Sequence, residues 1–174
     1  MISLVCGPMF SGKTTEVIRR LERAHLAGKS VVFVRPPTDT RNFITHTRFA
    51  ASWMEQVRED LASLDAMAYD VIGVDEGQFQ PNLRDFCLKY SALGKHVIVS
   101  ALHATSESEM FDPIVELIPH CEEIEKLNAV CTQCGSDFGN YTYYLSGKKT
   151  AKVVVGDGND YTALCGECYR IRMG

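Results

Sequence analysis

The residues Gly7-Pro8-Met9-Phe10-Ser11-Gly12-Lys13-Thr14 fit G-x-x-x-x-G-K-[ST] without a mismatch. The glycines allow backbone N–H groups to turn inward around phosphate oxygens. A helix beginning at this point adds partial positive charge. Lys13 can reach the outer phosphates, and the Thr14 hydroxyl can ligate Mg²⁺. The chemistry predicted here is binding of a nucleoside triphosphate with magnesium.

A second pair of residues extends that chemistry. Asp75 ends the apolar run Val71-Ile72-Gly73-Val74, where an aspartate can hold Mg²⁺ directly or through water. Glu76 follows it, and a carboxylate there can accept a proton from an attacking hydroxyl. That hydroxyl can belong to water, giving an ATPase, or to a substrate, giving a kinase. The residues alone leave both open.

A third constellation stands near the C-terminal end. Cys131-x-x-Cys134 and Cys165-x-x-Cys168 are two C-x-x-C pairs, separated by thirty residues. Four thiolates in two close pairs match tetrahedral zinc. With every ligand a cysteine, no coordination position stays open, so the ion is expected to be structural. Cys6 and Cys87 lie in apolar settings and are read as core residues; Cys121 has no partner by spacing.

These groups need elements to position them. Residues 2–6 form a short apolar run read as a buried strand, followed by the glycine loop and a helix over 14–27. Val17, Leu21 and Ala24 supply its apolar stripe, and Gly28 its stop. Further strands are expected at 31–34, 69–75, 96–101 and 123–129, with helices at 53–66 and 82–93. Residues 38–52 and 105–112 read as loops, the second as a mobile one. Strands alternating with helices predict an α/β fold: a parallel sheet flanked by helices. From residue 129 the texture changes to cysteine pairs, Gly/Asn turns and short β-type runs at 141–145 and 151–155. The expected division is a nucleotide-binding domain over 1–128 and a small zinc-binding lobe over 129–174.

Composition bounds the reading. The 174 residues are 45% hydrophobic and 23% charged, with a formal net charge of −4. No long basic run is present, which disfavours polymeric nucleic acid as a partner. No apolar stretch reaches membrane-spanning length. The opening residues lack the form of a signal peptide, so a cytosolic protein with unpaired thiols is expected.

Taken together, the motifs resemble those of the type II thymidine kinases, a zinc-containing cytosolic family. The resemblance rests on Gly7 to Glu16, Asp39-Thr40-Arg41, Thr45-His46 with Arg48, Asp75-Glu76-Gly77-Gln78-Phe79, Gly94-Lys95, Leu127-Asn128-Ala129-Val130-Cys131, and Cys165 to Tyr169. It implies that ATP gives its γ-phosphoryl group to the 5′-hydroxyl of thymidine or a related deoxynucleoside, with Glu76 as the base. It also implies that Asp39, Arg41 and Gln78 belong to the nucleotide site. Met9, Phe79, Leu102 and Phe111 would line the nucleoside pocket, with Thr142, Val154, Gly156 and Tyr161 contributing from the zinc lobe. A loop after Leu102 would close over the base. A homotetramer is a further implication of the family, not of the residues.

The chain departs from the family in that loop. His103-Ala104 stand where the family carries Asp-Gly, Ser106 where it carries an aromatic residue, and acidic residues from Glu107 onward where it carries basic ones. Gly166 replaces an arginine, and Tyr143 or Tyr144 a basic residue. The loop positions, His103 to Met110, bear on which nucleoside is preferred. The alternative from another class is a zinc-ribbon P-loop ATPase acting on nucleic acid, with Glu76 activating water. A nucleotide sensor without catalysis is a third.

Overall fold

The computed structural model describes residues 1–37, 53–145 and 160–174. Its main sheet is built from β1 (Ile2–Gly7), β2 (Val31–Arg35), β3 (Glu55–Arg58), β4 (Val71–Val74), β5 (His96–Leu102) and β6 (Glu123–Lys126). The strand order is β3-β2-β4-β5-β1-β6, and every pairing is parallel. Helix α1 (Lys13–Leu26) joins β1 to β2. Helix α2 (Leu83–Ala92) precedes β5, and α3 (Asp112–Leu117) follows it. This is the α/β architecture expected from the alternation of strands and helices.

The central strands are buried on both faces, which is why they read as continuous apolar runs rather than alternating ones. Their side chains divide between two clusters. On one face Val5, Phe33, Val71 and Ile98 meet Val17, Ile18 and Leu21 of α1. On the other, Leu4, Val34, Ile72 and Val99 meet Phe86, Tyr90, Ile114 and Leu117. Burying each such aliphatic side chain contributes about 1.5–3 kcal/mol. Close packing of α1 depends on Gly73: a Cβ there would stand 2.7 Å from Leu21 Cδ1. The helix that starts at the phosphate loop is thereby seated tightly on the sheet.

The helix expected over 53–66 is not formed. Residues 55–58 are instead β3, pairing with β2 from Val32↔Glu55 to Arg35↔Arg58. The apolar residues Met54, Val57, Leu61 and Leu64 do have helical spacing. Their destinations differ, however. Met54 packs in the α1-side cluster, and Leu61 and Ala66 in the opposite one. No single helical stripe can serve both faces of a sheet. The segment after β3 is held by Ala66 N–H donating to the Tyr90 hydroxyl at 2.9 Å.

A second sheet pairs β7 (Tyr141–Tyr144) with β8 (Tyr161–Leu164) antiparallel. Helix α4 (Gly166–Met173) follows. Leu164, Tyr169 and three of the four motif cysteines form a separate small cluster. Tyr161 stands in a polar stretch of sequence yet is buried in β8, its ring 5.2 Å from Tyr144. Among the described residues no helix is long and apolar enough to cross a membrane.

Candidate active site

The phosphate loop runs from the C-terminal end of β1 into α1. Phe10 and Gly12 take positive φ, 65° and 81°, and this alternation curls the loop. Glycine accepts that geometry without a Cβ penalty. Lys13 Nζ donates to Pro8 O at 2.6 Å and Ser11 Oγ donates to the same oxygen at 2.9 Å. The lysine thus folds over the loop that its charge would share with phosphate. Exposed ends of Phe10 and Gly12 leave the cradle accessible.

Asp75 leaves the end of β4 and is buried. Strand β5 lies between β4 and β1, so Asp75 and the phosphate loop face one another across it. Thr14 Oγ1 donates to Asp75 Oδ1 at 2.9 Å. Ser100, on the intervening strand, donates a short hydrogen bond to the same oxygen. Sequence reasoning did not single out Ser100; an alcohol inside an otherwise aliphatic strand was the available signal. A hydroxyl beside a buried carboxylate, at the mouth of a phosphate cradle, is an oxygen-rich arrangement that suits Mg²⁺. The residues present therefore fit a magnesium nucleotide.

Glu76 has φ 52° and ψ 43°, the left-handed region that non-glycine residues rarely occupy. That conformation turns the chain sharply at the strand end. Gln78 then fixes the carboxylate. Its Nε2 donates to Glu76 Oε2 at 2.6 Å, and its Oε1 accepts from Leu102 N–H at 3.0 Å. The two bonds define which way the amide points.

Around this centre the structure brings together several of the expected pocket residues. Phe79 and Phe111 meet edge to face, centroids 6.3 Å apart at 76°. Leu102 ends β5 and is joined to Gln78. Met9 N–H donates to Thr142 Oγ1 at 3.0 Å, so β7 touches the phosphate loop directly. Tyr161 lies on β8 opposite Tyr144. Asp39, Arg41, Val154 and Gly156 lie outside the described residues. His103 N–H donates to Gly7 O at 3.4 Å, and burial pushes its imidazole below the usual histidine range.

The four motif cysteines converge. Their sulfurs all lie within 4.8 Å of one another, and Cys134 Sγ is 3.7 Å from Cys165 Sγ. Zinc–sulfur bonds of about 2.3 Å place tetrahedral thiolates about 3.8 Å apart, so the cluster fits a zinc ion held by Cys131, Cys134, Cys165 and Cys168. Burial opposes ionisation of Cys131, but backbone hydrogen bonds from Cys165, Cys134 and Gln133 outweigh it and bring its pKa to about 6. Cys6 and Cys87 are buried, and burial raises both thiols, in keeping with core positions.

A parallel sheet with this loop between its first strand and first helix, and an acid at the end of β4 one strand away, defines a P-loop nucleotide-binding protein. The chain belongs, more narrowly, to the thymidine kinase family: the model named "Thymidine kinase" matches residues 1–169. It is 37% identical to the cytosolic thymidine kinase of Gallus gallus over 172 residues, covering 97% of this chain and 76% of that protein. It is 36% identical to the cytosolic thymidine kinase of Homo sapiens, covering 97% and 72%. To the thymidine kinase of Raccoon poxvirus it is 38% identical, covering 97% and 96%.

Proposed function

We propose that this chain transfers the γ-phosphoryl group of ATP to the 5′-hydroxyl of thymidine or a closely related deoxynucleoside. The observation that carries the reading is the placement of Glu76: adjacent to Asp75, turned by its own backbone and held by Gln78. A carboxylate fixed in this way serves a positioned hydroxyl better than bulk water. Lys13 and the loop N–H groups would stabilise charge on the phosphates, and Thr14 and Asp75 would hold Mg²⁺, which supplies electrostatic stabilisation when bound. Family membership weighs against the nucleic-acid-directed ATPase, as does the net negative charge.

Phe79 and Phe111, with Met9 and Leu102, offer apolar walls for a flat base, Thr142 reaches the phosphate loop from the second sheet, and Tyr161 joins the set on family resemblance. Asp39, Arg41, Val154 and Gly156 complete the set on family resemblance. We read residues 1–128 as the nucleotide-binding domain and 129–174 as the zinc lobe. The separate two-stranded sheet and its own small core support that division. A cytosolic homotetramer is proposed on resemblance, testable by sedimentation of the purified protein and by cell fractionation.

The decisive assay follows labelled γ-phosphate from ATP into a panel of deoxynucleosides. Thymidine is expected to be labelled. ATP binding or hydrolysis with no labelled nucleoside would overturn the reading, and stimulation by DNA would favour the ATPase.

A further inference from the structure

Between Leu102 and Phe111 the chain makes a compact turn. Thr105 N–H donates to Glu109 O at 2.8 Å, and Ser108 N–H to Thr105 O at 3.1 Å. Thr105 Oγ1 accepts from the N–H groups of Glu107 and Glu109 at 3.3 and 3.2 Å. The sequence suggested a mobile polar loop, but Thr105 and Ser106 are buried. The reason lies on α4. The Tyr169 hydroxyl donates to Ser106 O at 2.6 Å, in a buried bond, and accepts from Ser108 Oγ at 3.3 Å.

Tyr169 is itself held firmly. Its ring stacks on Tyr141 at 4.4 Å and 16°, and meets Tyr143 edge to face at 6.2 Å. Its N–H donates to Cys165 O at 2.9 Å, and Cys168 precedes it in the same helical turn. One continuous path therefore runs from the cysteine cluster through a phenol to the turn at 105–109, and on to Phe111 beside Phe79.

We propose that Tyr169 is the positioning residue through which the cysteine cluster holds the 105–109 turn, and with it Phe111, against the nucleoside pocket. The proposal rests on the kinase reading for its substrate, but its structural part does not. Apolar rings alone would leave the turn free to lift; the phenol bond sets where it rests. The cluster thereby governs acceptor affinity rather than the chemical step.

Tyr169→Phe removes the hydroxyl and keeps the ring stacking. Metal content per chain is expected to match the parent. KM for the nucleoside is expected to rise about fivefold, the worth of one net hydrogen bond, with kcat within about twofold. Cleavage after the exposed Glu107 and Glu109 by a glutamate-specific protease, mapped by mass spectrometry on the ligand-free protein, is expected to accelerate by a similar factor. Unchanged cleavage and unchanged KM would overturn the proposal, as would loss of metal from the Phe variant, since Tyr169 would then act on the cluster itself. The cleavage and metal readings stand even if no nucleoside is phosphorylated, so failure of the kinase reading is distinguishable.

Discussion

The Gln78 side-chain amide donates to Glu76 Oε2 at 2.6 Å while accepting from Leu102 N–H at 3.0 Å. One glutamine thus ties the candidate base to the end of β5, the strand that leads into the proposed nucleoside pocket. The bond removes freedom from a carboxylate whose backbone already lies in an uncommon region.

Two substitutions separate the base from its support. Glu76→Gln should lower kcat about 10²–10⁴-fold with nucleotide affinity retained, the usual contribution of a positioned base. Gln78→Leu should cost less, about tenfold, because the carboxylate stays but loses its anchor. Steady-state kinetics and fluorescent-nucleotide titration check both. Equal losses for the two would mean that Gln78 does more than orient Glu76.

Asp75 accepts from Thr14 and Ser100 through one oxygen. Asp75→Asn keeps the size and removes the charge. The Mg²⁺ concentration for half-maximal turnover should rise at least about tenfold. A magnesium titration of activity reads this directly, with thermal unfolding as the check that the buried site still folds.

Loss of one thiolate should release the metal. Cys131 is fully buried, and Cys131→Ser is expected to abolish bound zinc and loosen residues 129–174 while leaving the parallel sheet intact. Zinc quantification and hydrogen exchange by segment would show it. Global unfolding would mean that the small core supports the large one.

A pH dependence follows from the start of α1. Glu16 accepts from Arg19 at 2.6 and 2.7 Å and from Arg20 at 2.8 Å. The Arg19 hydrogen bond, ahead of that from Arg20, holds the carboxyl down to about 2 against an ordinary 4.5. A carboxyl depressed on folding stabilises fully above its unfolded pKa and ceases to do so as pH falls through the folded one. Stability from this group should therefore drop between pH 4.5 and 2. Urea unfolding of the parent at pH 5 and 3, beside Glu16→Gln, isolates the contribution; the variant should lack that part of the slope.

Much of this was legible because it was local. The glycine loop, the Asp75 strand end and the C-x-x-C pairs each pack their chemistry into a few neighbouring residues. The destinations of Met54 and Leu61 were not, because spacing along the chain cannot say which face of a sheet a residue will reach. Tyr161 and Tyr169 were similarly opaque: nothing beside them in sequence announces Tyr144 or Ser106. Gln78 entered the site on resemblance, and its hydrogen bonds to Glu76 and Leu102 could not be read from its neighbours in sequence. The bend at Glu76 has no signature in residue type at all.

Among the described residues, the strands at the two margins of the main sheet carry their own message. Glu55-Gln56-Val57-Arg58 and Glu123-Ile124-Glu125-Lys126 are short and charged, unlike the aliphatic strands between them. Arg20 binds Glu123 and Glu125 at 2.7 Å, pinning one margin to its own helix. Such borders discourage a neighbouring copy from adding its strand to the ladder. Charge at these borders therefore works against open-ended addition of strands, whatever way copies of the protein associate.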